Sequence, residues 1–192
     1  MTKTPQRRRI YLAGPEVFLP HAVALGAEKC RLVAAAGFEG VFPHDPGVKR
    51  TPSGKGTAAE NIFVANTELL VSCDALIANL TPFRGVSADA GTVFEVGFMF
   101  ALRRPVAAYT NTAEGYHARA TAFRARSAGL ADADRPECEV EDHDLSENLM
   151  IEMAVRTSGS LLVRQPSAGA PDMADLRAFR ECLAALARRL SS

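Results

Sequence analysis

The 192-residue sequence has no tryptophan, and only 7% of its residues are aromatic. A surface that stacks successive bases of a single strand needs several exposed rings, so it has little to be built from here. An excess of one charge is also missing, since 22 Lys and Arg balance 22 Asp and Glu. That balance argues against a broad electrostatic footprint for DNA, RNA or an anionic membrane. The four cysteines, Cys30, Cys73, Cys138 and Cys182, include no Cys-x-x-Cys pair. Their spacing supports neither a disulfide framework nor a zinc site, and the expectation is a reduced, cytoplasmic protein. No apolar run approaches the roughly 18 residues of a membrane helix. The basic start, MTKTPQRRR, leads into an apolar stretch that breaks at Gly14-Pro15, too short for the core of a signal peptide. The four histidines offer no pair at metal-ligand spacing on one element, so no metal or cofactor is expected. There is no internal repeat.

What is present is a chain that is 47% hydrophobic, long enough for one domain over 1–192 at roughly 100–200 residues per domain. Residues 8–13 read as a short strand and Ala22–Ala36 as a helix, with Val23, Ala27, Cys30 and Ala34 at three- and four-residue spacing. Gly37 fits the helix stop, and Gly40–Phe42 fit a second strand. The Pro-, Gly- and Lys-rich stretch 45–57 reads as a surface loop. Its Gly54-Lys55-Gly56 is not a phosphate loop, because Gly56 stands where Ser or Thr is needed. A helix follows over Ala58–Ser72 with Ile62, Ala65, Leu69 and Leu70 on its apolar face, then a buried strand at 75–79. A helix capped by Ser87 or Asp89 runs to Leu102, and 105–109 form a fourth strand. Residues 111–147 are polar and read as a long excursion. A helix at 148–157, a strand at 160–164 and an amphipathic helix at 172–190 complete the chain. This alternation predicts an α/β fold with a five-stranded parallel sheet, doubly wound with helices on both faces. Ligands in such sheets bind beyond the carboxyl ends of the strands, which gathers Gly14–Phe18, Phe42–Asp45, Leu80–Asp89 and Tyr109–Asn111 around one crevice.

Within that crevice the informative stretch is Ala88 to Leu102. Glu95 lies inside an otherwise apolar helix, among Val93, Phe94, Val96, Phe98 and Met99. A carboxylate there costs several kcal/mol unless it is paired or faces a cleft. Two readings fit: a Glu on a polar helix edge paired with an arginine such as Arg103, or a functional carboxylate. Asp89 likewise reads either as a helix cap or as a partner that binds a hydroxyl while the other carboxylate works on a developing sugar cation. His44 and Asp45 stand at the crevice edge, and His44 is a candidate base contact.

Four blocks then occur in series: Tyr11-Leu-Ala-Gly-Pro-Glu-Val-Phe18, Asp74-Ala-Leu-Ile-Ala-Asn-Leu-Thr-Pro-Phe-Arg-Gly85, Asp89-Ala-Gly-Thr-Val-Phe-Glu-Val-Gly97 and Asn148-Leu-Met150. Together they resemble the nucleoside 2-deoxyribosyltransferase family. The resemblance implies a flavodoxin-like fold and nucleosides and nucleobases as ligands. It implies that Glu95 is the nucleophile that attacks C1′ of a 2′-deoxyribose, that Tyr11 positions it, and that Asp89 holds the sugar 5′-hydroxyl. Asn148 and Met150 match residues lent by a neighbouring subunit, which implies a homo-oligomer. Gly14, Phe18, Asn66 and Phe83 are the further substrate-binding candidates, with Phe18 and Phe83 either stacking on the base or anchoring loops. Asn66 stands where several relatives carry an aspartate. Its amide can donate and accept but cannot act as a general acid.

Two enzyme alternatives and one binding alternative compete. A hydrolase of 2′-deoxynucleoside 5′-monophosphates would place a phosphate near Ser87, where Asp89 repels it. A cytokinin-activating phosphoribohydrolase shares the Gly-Thr-x-x-Glu run of Gly91–Glu95 but not the preceding Pro-Gly-Gly. A nucleotide-sensing module has no need of a desolvated carboxylate. The expected crevice is locally acidic, with Glu95 and Asp89 facing it and Glu16 nearby, and suits an uncharged nucleoside.

Overall fold

The computed structural model describes residues 7–43, 56–126, 138–166 and 170–191. Five strands form one all-parallel sheet: β1 (Arg9–Ala13), β2 (Glu39–Val41), β3 (Ala75–Asn79), β4 (Val106–Thr110) and β5 (Leu162–Arg164), in the order β2-β1-β3-β4-β5. The chain leaves β1 for β2 on one side and returns to β3 on the other, so the order in which strands are added reverses between β1 and β3 while all strands stay parallel. In doubly wound sheets that junction is where ligands settle. β3 and β4 are buried along their whole length, as a parallel sheet covered on both faces requires.

Alternation within each strand assigns the two faces. Ile10 and Leu12 of β1, with Ile77 and Tyr109, pack under α1 (Ala22–Ala35) and α6 (Arg177–Ser191). Tyr11 and Ala13, with Leu76, Ala78 and Ala108, pack under α2 (Ala58–Val71), α3 (Ala90–Ala101) and α5 (Leu149–Thr157). A short 3-10 turn, Pro15–Phe18, follows β1. Within the polar excursion α4 (Tyr116–Arg126) is formed. No described helix is long and apolar enough to cross a membrane.

Three local expectations change. α1 does not bury Val23, Ala27 and Ala34. Its inner face is Ala22, Leu25, Gly26, Lys29, Leu32 and Val33, and Val23 is half exposed. The stripe is rotated because a lysine sits inside it: Lys29 pairs with the buried Glu16, a contact that apolar periodicity does not register. In α2, Ile62 is half exposed rather than buried. The last helix begins at Arg177 rather than 172, because Asp172–Leu176 make turns in which Asp172 and Asp175 side chains accept nearby backbone N–H groups. Those acids compete with the helix for its own donors.

α6 carries a large part of one core face through Phe179, Cys182, Leu183 and Leu186. Phe179, fully buried, meets the Tyr109 ring edge-on at 6.2 Å. Phe179→Ala is expected to cost about 3–5 kcal/mol, through lost transfer energy and the cavity left behind. Denaturant unfolding at constant m-value measures this.

Candidate functional site

Because Tyr11 alternates with Ile10 and Leu12, its ring points toward α3, and its hydroxyl donates to Glu95 Oε1 at 2.7 Å. Helix α3 starts at this junction. Asp89 is its N-cap, with Oδ2 accepting from the Thr92 N–H at 3.0 Å and the Thr92 hydroxyl at 3.2 Å. Glu95 stands between one and two turns further on, partly buried. Burial raises its carboxyl pKa to about 7; the Tyr11 hydrogen bond opposes the rise, and the negative charges of Asp89 and Glu16 add to it. A weakly solvated carboxylate that titrates near neutrality, fixed by one phenol and still open on one side, is suited to attack on carbon.

Glu95 faces a cavity of about 330 Å³ between α2 and α3. Asn66, Thr67 and Gly91 line it with Ile62, Phe63, Leu70 and Phe94. Asn66 Oδ1 is buried and has no hydrogen-bond partner among the described residues. Such an atom costs roughly 1–3 kcal/mol if left unsatisfied, so the cavity presents an acceptor in want of a donor. Phe63 and Phe94 approach with ring centroids 6.0 Å apart and planes tilted by 52°, and both are about half exposed. Along the chain nothing singles out these two rings: Phe94 is one of several apolar neighbours of Glu95, and Phe63 lies in none of the four blocks. The available signal was the pairing of Phe63 with Asn66 at helical spacing, which places both on the side of α2 that meets α3.

Beneath the crevice lies a second polar cluster. Glu16 is fully buried. Its Oε1 accepts from Lys29 Nζ, from the Tyr109 hydroxyl at 2.9 Å and from Asn79 Nδ2 at 2.8 Å. Lys29 lies over the Tyr109 and Phe179 rings, 5.5 and 5.2 Å from their centroids. Glu16 therefore belongs to the floor, with its charge met by Lys29, and the open acidity of the crevice rests on Glu95 and Asp89. The floor also accounts for Gly14. A Cβ at that position would stand 1.8 Å from Glu16 Oε2 and 2.9 Å from Asn79 Cβ, so any side chain would displace the buried carboxylate.

The remaining candidates fall into three places. Phe18 and Phe83 stack on each other, centroids 5.4 Å apart and planes within 9°. The Arg84 guanidinium lies 4.8 and 4.7 Å from the two centroids, a contact worth about 0.5–1 kcal/mol at an exposed site. Asn148 caps α5, with Oδ1 accepting from the Met150 N–H at 3.1 Å and Nδ2 donating to Glu141 Oε1 at 3.0 Å. Met150 is strongly exposed. It lines a groove of about 320 Å³ between α3 and α5 with Val93, Phe100 and Met153, a different opening from the Glu95 cavity. His44 and Asp45, like the loop with Gly54 and Lys55, lie outside the described residues.

Comparison with known proteins meets this geometry from another direction. The sequence profile of the nucleoside 2-deoxyribosyltransferases matches residues 10–150, which contain Tyr11, Asn66, Asp89, Glu95 and Asn148. An uncharacterized protein of Schizosaccharomyces pombe is 32% identical over 200 residues, covering 95% of this chain and 90% of its own. The solved structure of a 2-desoxiribosyltransferase from Leishmania mexicana is 29% identical and superposes with a TM-score of 0.57, over 75% of this chain and 85% of that one. A conserved protein from Enterococcus faecalis V583 shares the fold at 18% identity and a TM-score of 0.56, over 95% of this chain and 99% of its own. The profile match over most of the chain and the extended similarity to the yeast protein leave one assignment: the chain belongs to the nucleoside 2-deoxyribosyltransferase family.

Proposed function

We propose that this protein transfers a 2-deoxyribosyl group between nucleobases by double displacement at Glu95. The observation that carries the reading is the Tyr11–Glu95 hydrogen bond at the wall of a cavity that also holds Asn66 Oδ1, which has no partner among the described residues. In the first step a Glu95 oxygen bonds to C1′ of the bound nucleoside. The C1′–N bond breaks, and its electron pair leaves with the base, which takes a proton from water at the mouth of the cavity. Asn66 hydrogen-bonds the departing base without supplying that proton, because an amide is no acid at neutral pH. In the second step a ring nitrogen of another base attacks C1′ from the original face, frees the Glu95 carboxylate and loses its own proton to solvent. Two inversions give net retention. Phe63 and Phe94 supply the apolar wall for base and sugar, and Asp89 accepts the sugar 5′-hydroxyl. Near Asp89 the Ser87 hydroxyl already donates to the Glu147 carboxylate at 2.5 Å. A substrate phosphate would meet two carboxylates there, and that repulsion favours free nucleosides.

The family resemblance lends Asn148 and Met150 to a neighbouring copy of the chain. An apolar surface supports association: Phe100, Met150 and Met153 are all exposed and line one groove between helices α3 and α5. Single exposed apolar residues are ordinary, but a cluster of this kind marks a contact surface. Light scattering of the purified protein is expected to give a homo-oligomer. Phe100→Glu should return it to the mass of a single chain and remove activity with it.

Activity is tested by incubating the protein with deoxyinosine and adenine, and separately with deoxyadenosine monophosphate. Deoxyadenosine formed in the first reaction supports the transferase; release of deoxyribose phosphate in the second, without exchange in the first, contradicts it and favours the monophosphate hydrolase. Glu95→Ala should lower either turnover by at least about a thousandfold, as loss of a covalent nucleophile does, while leaving the unfolding transition in place.

The pH dependence follows from the raised Glu95 pKa. The attacking form is the carboxylate, so activity should fall as pH drops through about 7 and level off above it. Tyr11→Phe removes the hydrogen bond that favours the ionised form, which raises the pKa further. The acid limb of kcat/KM should therefore move to higher pH; a limb that stays in place contradicts the assigned contact.

A further inference from the structure

The turn that precedes Asp89 is held by a buried carboxylate from a distant part of the chain. Glu147 is buried beside α5. Its Oε1 accepts from the Ser87 hydroxyl at 2.5 Å and from the Asn148 N–H at 2.9 Å. Its Oε2 accepts from the Ala88 N–H at 3.0 Å and from Arg119 Nη2 at 3.4 Å. Arg119, on α4 and also buried, donates Nε to the Val86 carbonyl at 2.9 Å and Nη2 to the Ser146 carbonyl at 2.8 Å. Residues 86, 87 and 88 are thus each gripped by one member of a single ion pair.

A buried ion pair is a poor source of stability, because desolvation of both charges offsets most of their attraction. What it supplies is geometry. Each oxygen of Glu147 is committed to fixed donors, and one donor to each, the Ser87 hydroxyl on Oε1 and the Ala88 N–H on Oε2, belongs to the turn that enters Asp89. Asp89 engages its helix through Oδ2, so Oδ1 is the oxygen available to a ligand, and its direction depends on the turn. Substrate-contacting groups lose most of their effect when displaced by about 1 Å, and supporting hydrogen bonds prevent such drift.

We propose that Glu147, held by Arg119, is a positioning residue for the 5′-hydroxyl end of the nucleoside, acting through Ser87 and Ala88 on Asp89. The inference rests on the transferase reading of the site given above and adds a residue outside the matched motifs.

The test compares two donor nucleosides, 2′-deoxyinosine and 2′,5′-dideoxyinosine, with adenine as acceptor. The second lacks the hydroxyl that Asp89 accepts. Glu147→Gln keeps the side-chain volume and removes the charge. It is expected to raise KM for deoxyinosine about tenfold while kcat changes less than about threefold, and to leave KM for the dideoxy compound unchanged. Ser87→Ala, which leaves the Arg119–Glu147 pair intact and so keeps the fold, should show the same split at smaller size. If either folded variant weakens both nucleosides equally, or neither, Glu147 is not a positioning residue for this group. If the unaltered protein exchanges bases on neither nucleoside, the transferase reading fails and the positioning role falls with it. Exchange that persists without the split overturns the positioning role alone.

Discussion

One hydrogen bond joins the two halves of the site. Tyr11 lies in β1, on the face that strand alternation turns toward α3, and it meets Glu95 at 2.7 Å. For that contact to form, β1 must sit beside β3, the chain must reverse at their junction, and α3 must start from the loop that follows β3. The carboxylate then lies at the carboxyl end of the sheet, partly shielded from water, with its pKa lifted to about 7 by burial. A phenol is a suitable partner there. It fixes the carboxylate and partly offsets the cost of its charge, yet adds no positive charge that would quench its nucleophilicity.

The surrounding polar groups divide between floor and rim. In the floor, Lys29, Tyr109 and Asn79 all donate to Glu16 Oε1 in a buried cluster, Glu16 Oε2 has no partner among the described residues, and Gly14 is small because the cluster occupies the space of a side chain. At the rim, Asp89 caps α3 and the Arg119–Glu147 pair grips the turn before it. The cavity between α2 and α3 is mostly apolar and the Thr67 hydroxyl on its wall donates to backbone carbonyls of its own helix, so the side chains of Glu95 and Asn66 determine what it can bind.

Much of this was legible in the sequence. The apolar strands with their Gly and Pro punctuation and the helices between them predicted the sheet, because a parallel strand buried on both faces has no polar alternation to confuse it. Glu95 stood out as a charge in an apolar helix, and the four blocks around Tyr11, Asp74, Asp89 and Asn148 led to the family. What escaped the reading shares a cause. Lys29 turned α1 by pairing with Glu16, and Glu147 reached Ser87 and Ala88 across about sixty residues of chain. Phe63 and Phe94 became neighbours only when α2 and α3 packed. Pattern along a chain reports local burial, whereas these contacts depend on which elements meet. The core formed by Phe179 and Leu186 in α6 is amphipathic in sequence but belongs to no matched motif, so the helix was foreseen and its partners were not.

The central claim, a covalent deoxyribosyl–Glu95 intermediate, is tested most directly by trapping it. A nucleoside bearing fluorine at the 2′ position of the sugar destabilises the cationic transition states of both steps, and without an acceptor base the second step stalls. Intact-protein mass spectrometry after incubation with such a nucleoside should show a gain of one fluorodeoxyribosyl group, and peptide mapping should place it on the segment that contains Glu95. Base release without any gain in protein mass, or a sugar attached elsewhere, would contradict the account.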